Sequence, residues 1–299
     1  MNLKPEHLGL IGWGEVGKIF SAGLAPQVRS TSAWDLRFAD AQVRTAATQA
    51  GLEACDGMAA LCARADLLSS AVTASRTLAV AEVAAPHIRP GTVFLDLNSA
   101  SPGTKQQAAR CIEATGAHYV EAGVMTSVPP YGIRVPMLLG GPQASALAAV
   151  LQGWGMQAQP VSERLGVASA IKMCRSIMIK GLEALVIESY ATARHYGVED
   201  QVLPTLAETF PGIDWNAQGA YFFSRVVQHG RRRAEEMRES AHTVAEAGME
   251  PLMASAIAAK QQWVADLAAA NAFAGLAQGA RWEDYADALL AARTTPQSN

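Results

Sequence analysis

Four polar side chains recur along one predicted helix, and one of them is suited to proton transfer. The stretch 166–197 is long and mostly apolar. Its polar residues step by four, four and three positions, which places them on one helix face: Lys172, Ser176, Lys180 and Glu183. Burial lowers the pKa of a lysine toward the range in which it exchanges protons. We therefore predict that Lys172 is a general acid/base and that Ser176 assists it as a second catalytic residue.

Simpler interpretations of the two lysines remain open. Lys172 could be a surface lysine whose aliphatic stem packs on the helix while its ammonium group reaches water. Lys180 lies three positions before Glu183 and could be no more than its ion-pair partner. Because its cation also suits an acidic ligand group, we assign Lys180 to substrate binding.

A glycine-rich loop near the start of the chain has the arrangement that binds phosphate groups. Leu8 to Ile11 predicts a buried parallel strand, and a helical stretch begins at Lys18. A GxGxxG motif between them would aim backbone N–H groups at a pyrophosphate. A glycine-rich turn without a ligand is the alternative interpretation. The predicted cofactor-binding residues of this loop are Gly12, Trp13, Gly14, Glu15, Val16 and Gly17.

An acidic residue follows the second predicted strand. Asp35 lies 23 positions after Gly12, where a carboxylate can accept hydrogen bonds from the adenosine ribose and repel a 2′-phosphate. Asp35 is therefore a predicted cofactor-binding residue that favours NAD over NADP. Arg37 could instead bind the 2′-phosphate, and Asp35 could be an ordinary turn residue.

Further candidates follow later predicted strands. Ligands of open α/β sheets bind at the carboxyl ends of the strands, so polar groups there can contact a cofactor or a substrate. Val72 and Asn98 are assigned to the cofactor. The substrate-binding assignments at these strand ends are Ser99, Thr126 and Ser127.

Composition limits the class of protein. The 299 residues carry a formal charge of −3, and half of them are hydrophobic, which is typical of a folded protein. This charge gives no electrostatic basis for binding nucleic acid or an anionic membrane. The four cysteines form no CxxC pair, so we predict no metal site and a reducing, cytoplasmic setting. We expect neither a signal peptide nor a membrane span.

The order of the predicted elements indicates an α/β part followed by helices. Alternating strands and helices over residues 1–164, including a strand at 133–139, predict a Rossmann-type, doubly wound, mostly parallel domain that binds NAD(P). A long interdomain helix at 166–197 opens an all-α substrate and dimerisation domain over residues 165–299. The later helices of that domain are predicted at 202–210, 221–247, 251–270 and 282–292.

A cluster of arginines lies within the helix predicted at 221–247. Any one of the arginines at 231–233 could clamp a substrate carboxylate or phosphate. We favour a solvated helix face, because Arg231–Glu235 and Arg232–Glu236 have the i,i+4 spacing of surface ion pairs.

The glycine loop, the Asn98-Ser99 pair and the Lys172 helix occur in an order that resembles the β-hydroxyacid dehydrogenase superfamily. This group includes 6-phosphogluconate dehydrogenase and 3-hydroxyisobutyrate dehydrogenase. The GWGEVG loop and residues 229–237 resemble a 6-phosphogluconate dehydrogenase-like branch with an uncharacterised C-terminal domain. The resemblance covers the whole length and implies an NAD(P) cofactor, an acid/base at Lys172 and a homodimer built by the C-terminal helices.

The sequence departs from the pattern of this superfamily at two places. Ser176 stands where relatives have an asparagine, and the substrate loop at 121–127 lacks the two glycines that relatives carry. The lysine chemistry implied by the resemblance survives these departures, whereas the identity of the substrate does not transfer.

The activity predicted from these features is hydride transfer between a nicotinamide and a small hydroxy acid, or reduction of the matching carbonyl. Decarboxylating oxidation of a β-hydroxy acid is a variant. Imine reductases resemble the same architecture with the lysine position replaced, so Lys172 argues against that activity. A dinucleotide-binding sensor or structural dimer without turnover is the alternative from another class.

Overall fold

The computed structural model describes residues 3–294. The chain divides after Cys174 into two compact units. The domain boundary expected between residues 164 and 165 stays a prediction. The last part of the second predicted domain, 295–299, lies outside the described residues.

The first unit is built on one eight-stranded sheet. Its strands are β1 (His7–Ile11), β2 (Ser30–Trp34), β3 (Glu53–Ala54), β4 (Leu67–Ser70), β5 (Val93–Asp96), β6 (His118–Val124), β7 (Met137–Gly140) and β8 (Ala158–Ser162). Their spatial order is β3-β2-β1-β4-β5-β6-β7-β8, and β6 and β7 are the antiparallel pair in an otherwise parallel sheet. This order confirms the predicted doubly wound topology, in which the crevice at the carboxyl ends of β1 and β4 is the expected ligand site.

Helices cover both faces of this sheet. They are α1 (Glu15–Leu24), α2 (Ala41–Gln49), α3 (Met58–Arg64), α4 (Thr77–Ala84), α5 (Pro102–Glu113) and α6 (Ala144–Gly153). Alternate strand residues enter two separate apolar clusters, as Leu10 and Ile11 of β1 illustrate. Both faces of the central strands are therefore buried, which is why β1 reads as a continuous apolar run in the sequence.

The strand predicted at 133–139 forms only in part. Gly132–Arg134 is a 3₁₀ turn, and β7 begins at Met137. Pro136 explains the late start, because it has no N–H to donate to the ladder. The sequence pattern also predicts no element between β2 and β4, where the structure forms α2, β3 and α3.

A 30-residue helix, α7 (Val167–Tyr196), contains the division between the two units and confirms the long helix predicted at 166–197. It ends before Gly197, whose φ of +66° is the left-handed conformation that closes many helices. Among residues 3–294, no helix combines the length and the apolar character needed to cross a membrane.

Up to residue 294, the second unit is built from helices. Its further helices are α8 (Glu199–Thr209), α9 (Trp215–Glu246), α10 (Leu252–Ala269) and α11 (Trp282–Thr294). Helix α9 starts earlier than predicted, because the Asp214 carboxylate accepts a hydrogen bond from the Ala217 N–H at 3.0 Å and caps the helix there. Aromatic residues fill the core of this unit, among them Tyr190, Phe223 and Trp282.

Candidate functional site

The glycine loop joins β1 to α1, and its three glycines serve different purposes. Gly12 has a φ of +92°, and a Cβ atom there would lie 2.6 Å from the Ala71 carbonyl oxygen. A Cβ atom on Gly17 would overlap the Gly12 carbonyl oxygen. Gly14 differs from both, because a Cβ atom built on it meets nothing within 4 Å. The loop therefore leaves open space at the N-terminus of α1, where the backbone N–H groups and the helix dipole favour an anion.

This open space is the feature that fits a dinucleotide pyrophosphate. The other predicted loop residues surround it on the chain: Trp13 is buried, Glu15 is exposed in the first turn of α1, and Val16 is half-buried. Nothing in the packing of the loop itself requires a glycine at position 14. A glycine at position 14 is explained if it lets the phosphates of a dinucleotide approach the backbone, as the sequence predicts.

Gly14→Ala should therefore lower dinucleotide affinity without lowering the melting temperature. We expect a loss of about tenfold to a hundredfold in affinity, since charge-assisted hydrogen bonds from backbone N–H groups would be lengthened or lost. Nicotinamide fluorescence titration measures the affinity. Gly57→Ala is the matched control, because Gly57 also precedes a helix and has equally open surroundings. Undiminished affinity in Gly14→Ala would contradict a pyrophosphate at this position.

Asp35 lies directly after β2 and is joined to the glycine loop. Its Oδ2 accepts a hydrogen bond from the Trp13 N–H at 2.7 Å, and Arg37 donates to both carboxylate oxygens at 2.9 Å. Arg37 also donates to the Trp13 carbonyl oxygen at 2.9 Å. Partial burial acts to raise the pKa of Asp35, but the hydrogen bonds from Arg37 and Trp13 outweigh it and lower the pKa to about 2. The carboxylate is thus ionised and occupied by its neighbours.

Asn98 joins the ends of two strands. Its Oδ1 accepts a hydrogen bond from the Val72 N–H at 2.7 Å, and its Nδ2 donates to Ser70 Oγ at 3.0 Å. Asn98 is 3% exposed. Both predicted cofactor residues, Val72 and Asn98, therefore lie together at the carboxyl ends of β4 and β5. The hydrogen bonds of Asn98 give it a structural task there, and its contact with a cofactor remains a prediction.

A buried charged network supports the turn that carries Asn98 and Ser99. Asp96 accepts hydrogen bonds from the Asn98 N–H at 2.9 Å and from the Tyr119 hydroxyl, and it forms an ion pair with Lys105 at 3.0 Å. Asp96 and Lys105 are 1% and 0% exposed. Burial, followed by the adjacent Asp96 charge and hydrogen bond, raises the pKa of Tyr119 well above its usual value, so the phenol stays protonated and donates.

Lys172 and Ser99 meet in the first unit. The Nζ atom of Lys172 donates a hydrogen bond to Ser99 Oγ. Lys172 lies early in α7, whereas Ser99 lies just beyond β5, and both side chains are half-buried. The structure therefore brings a predicted proton-transfer group and a predicted substrate residue together at the carboxyl edge of the sheet. The role of Lys172 in proton transfer stays a prediction.

In the second unit, Ser176 and Lys180 form a cluster with α9. Lys180 Nζ lies 3.2 Å from Ser176 Oγ and 2.8 Å from Glu236 Oε2. Glu183 pairs with Arg233, whose Nε donates to Glu183 Oε2 at 2.9 Å. The suggestion that Lys180 is only the partner of Glu183 is therefore wrong. The reason is geometric, since Lys180 and Glu183 each pair with a charged residue of α9 in the same unit.

The remaining predicted residues lie in the loop after β6, where Thr126 is exposed and Ser127 is half-buried. For the arginine cluster, the expected i,i+4 pair forms between Arg232 and Glu236 at 3.9 Å, whereas Arg233 is buried rather than solvated. Sequence reasoning missed Asp96, Lys105 and Tyr119 as a network. The available signal was a carboxylate inside an apolar strand, since such a group needs a buried partner.

Two known domain families match successive parts of the chain. The NAD binding domain of 6-phosphogluconate dehydrogenase matches residues 7–155, and a domain of unknown function, DUF1932, matches residues 193–264. Together with the glycine loop, the first match defines the class of the protein as an NAD(P)-binding oxidoreductase.

Several solved structures are similar to this chain. A conserved hypothetical protein from Sinorhizobium meliloti 1021 is 38% identical, with 96% of each chain covered and a TM-score of 0.76. A conserved protein of unknown function with structural similarity to 3-hydroxyacid dehydrogenases is 28% identical over 87% of this chain and 97% of that one, with a TM-score of 0.69. The 3-hydroxyisobutyrate dehydrogenase of Salmonella typhimurium shares the fold, at 18% identity over 95% and 99% of the chains and a TM-score of 0.65. The chain belongs to the β-hydroxyacid dehydrogenase superfamily, in the branch with an uncharacterised C-terminal domain.

Proposed function

We propose that this oxidoreductase transfers a hydride between a nicotinamide and a small hydroxy acid, or the matching carbonyl compound, with Lys172 as general acid/base. The observation that carries the proposal is the hydrogen bond from Lys172 to Ser99 at the carboxyl edge of the sheet. The nicotinamide, when bound, supplies the hydride acceptor or donor. The protein must therefore bind the substrate and move one proton to or from its oxygen.

Lys172 and Ser99 suit this proton transfer. In oxidation, Lys172 in its neutral form would accept the hydroxyl proton of the substrate, and in reduction its ammonium form would return a proton to the carbonyl oxygen. Ser99 Oγ lies within hydrogen-bond reach of Lys172 Nζ, so a substrate hydroxyl placed beside Ser99 is within reach of the same nitrogen. Thr126 and Ser127 are proposed to hold the remainder of the substrate. Ser176 is proposed to assist Lys172.

The direct test is turnover with a panel of small hydroxy acids and the corresponding carbonyl compounds. The change in nicotinamide absorbance is followed in both directions, and released carbon dioxide is measured to identify decarboxylation. Turnover of one hydroxy acid with either cofactor would support the proposal. Tight dinucleotide binding without turnover across the panel would contradict it and favour a sensor or a structural dimer.

The surroundings of Asp35 bear on the choice of cofactor. If a ribose hydroxyl displaced Arg37 from Asp35, the protein would lose hydrogen bonds that hold the glycine loop. The Arg37 side chain is 54% exposed and carries a planar set of donors suited to phosphate. We therefore infer NADP as the preferred cofactor, whereas the sequence alone favours NAD.

Arg37→Ala should raise the KM for NADPH at least about tenfold more than the KM for NADH, because both cofactors lose the loop contact of Arg37 whereas only NADPH has a 2′-phosphate for the guanidinium to bind. Initial rates with each cofactor measure this ratio. Arg29→Ala is the control, since Arg29 forms an exposed ion pair with Glu6 at the start of β2. A wild-type protein that prefers NADH, with no change in Arg37→Ala, would contradict the inference.

The second unit also carries a surface that supports a homodimer. Met178, Leu182 and Leu185 lie at i, i+4 and i+7 on α7, and they are 66%, 36% and 57% exposed. An exposed apolar stripe of this kind on one helix is characteristic of association. We propose that a second copy of the chain covers it.

Met178→Glu combined with Leu185→Glu should therefore convert a dimer into a monomer at micromolar concentrations, because two carboxylates would have to be desolvated at the interface. Multi-angle light scattering measures the mass in solution. Leu36→Glu is the matched control, since Leu36 is 77% exposed in the first unit. A double variant that stays dimeric would show that the interface lies elsewhere.

A further inference from the structure

The first turn of α7 is anchored by a buried carboxylate from the neighbouring sheet. Glu121 of β6 is 0% exposed. Its Oε1 accepts hydrogen bonds from the Gly166 N–H at 2.8 Å and the Ala168 N–H at 3.0 Å, and its Oε2 accepts one from the Ser169 hydroxyl at 2.7 Å. These donors belong to the helix terminus, where backbone N–H groups have no partner within the helix. Glu121 thus caps α7 from a distant position in the sequence.

The sheet is shaped to admit this carboxylate. Gly140 is the antiparallel partner of Glu121 on β7, and a Cβ atom on Gly140 would lie 2.5 Å from Glu121 Oε1. Two residues farther along β6, a Cβ atom on Gly123 would lie 2.9 Å from the Ala168 carbonyl oxygen and 3.5 Å from Lys172 Cβ. Both glycines allow strand and helix to approach closely. The start of α7 is therefore fixed against β6 at more than one point.

Lys172 lies one helical turn after the residues that donate to Glu121. It is four positions after Ala168 and three after Ser169, so its side chain lies on the same helix face as both. The three donors to Glu121 are uncharged, so its carboxylate is stabilised by their hydrogen bonds and by the helix dipole. The anchor therefore fixes where the first turns of α7 lie.

We propose that Glu121 is the positioning residue for Lys172: by capping α7 it fixes the place from which Lys172 Nζ reaches Ser99. Glu121 itself touches neither substrate nor cofactor in this role. The consequence for turnover rests on the function proposed for Lys172. The claim about position is independent of that function and can be tested on the protein without any substrate.

The test is the rate at which Lys172 is methylated by formaldehyde and a mild borohydride reductant, read by peptide mass spectrometry. Glu121→Ala should raise the rate about fivefold, the factor that corresponds to the loss of one helix cap, while Lys18 and Lys260 react as in the wild type. Glu121→Gln should react within about twofold of the wild type, because its amide oxygen can still accept both N–H bonds. This rescue distinguishes positioning from a requirement for charge.

Asp214→Ala is the matched control, since it removes the cap of α9, a helix that carries no catalytic candidate. It should leave the reactivity of Lys172 unchanged. If Glu121→Ala does not fold, Glu121→Asp is used, whose shorter side chain cannot reach all three donors and should still raise the rate at least about twofold. A folded Glu121→Ala or Glu121→Asp protein with wild-type Lys172 reactivity would overturn the proposal.

Turnover measurements separate this proposal from the proposed function. If the wild type is active, Glu121→Ala should lower kcat about tenfold while the KM for the cofactor stays within about twofold. An inactive wild type with a changed Lys172 reactivity in Glu121→Ala would sink the proposed function and leave the positioning role standing. Full activity of Glu121→Ala with unchanged Lys172 reactivity would overturn the positioning role and leave the proposed function standing.

Discussion

A Lys172→Ala enzyme is expected to bind NADPH as the wild type does and to turn over about 10³-fold more slowly. The reason is that the hydride cannot move unless the substrate oxygen loses or gains a proton, and Lys172 is the nitrogen that contacts Ser99 at the carboxyl edge of the sheet. The dinucleotide is proposed to bind through the glycine loop and the Arg37 region, which Lys172 does not form. Steady-state rates and a fluorescence titration measure the two effects separately.

Two further variants sharpen this expectation. Lys172→Arg should be almost as slow as Lys172→Ala, because a guanidinium stays protonated and cannot act as the base. Lys260→Ala should behave as the wild type, since Lys260 forms a surface ion pair with Glu188 at 2.6 Å. Turnover in Lys172→Ala within about threefold of the wild type would exclude the lysine as acid/base.

Lys105→Met is expected to destabilise the protein by about 3–5 kcal/mol, because it leaves the Asp96 carboxylate buried without its ion-pair partner. The methionine matches the length of the lysine stem, so the change isolates the loss of the charge. Asp96 would keep its hydrogen bonds from Tyr119 and from the Asn98 N–H. Denaturation by urea, followed by circular dichroism, gives the free energy of unfolding.

The exposed Arg29–Glu6 pair provides the comparison. Its two side chains are 73% and 49% exposed, so Arg29→Met should cost no more than about 1 kcal/mol. A loss below about 1 kcal/mol in Lys105→Met would show that Asp96 does not depend on Lys105 for its burial.

The fold could be predicted from the sequence because the patterns that indicate it are local. The glycine loop follows an apolar run and precedes a helical stretch, and strands and helices then alternate up to β8. The long helix was accessible for the same reason, since its apolar residues recur without a break until Gly197. The short elements between β2 and β4 escaped this reasoning, because β3 is only two residues long and shows no periodicity.

The partners of the charged side chains could not be predicted from the sequence, because they depend on packing between distant segments. The sequence placed Lys172 and Ser99 in the candidate site, but their contact spans 73 positions of the chain. Glu121 was only the first residue of the substrate loop compared with relatives, and its role as a cap became visible only with the start of α7 beside it. Similarly, no local pattern joins Glu183 to Arg233, which lies on another helix.

The two outer strands of the sheet limit how copies of this chain can associate. One edge is the two-residue β3, and the other is β8, where Pro160 removes a hydrogen-bond donor from the exposed ladder. Short strands and prolines at sheet edges block the addition of a further strand from another molecule. A continuous sheet across two subunits is therefore disfavoured, and self-association is left to the helices. The same edges protect the chain against strand-mediated aggregation.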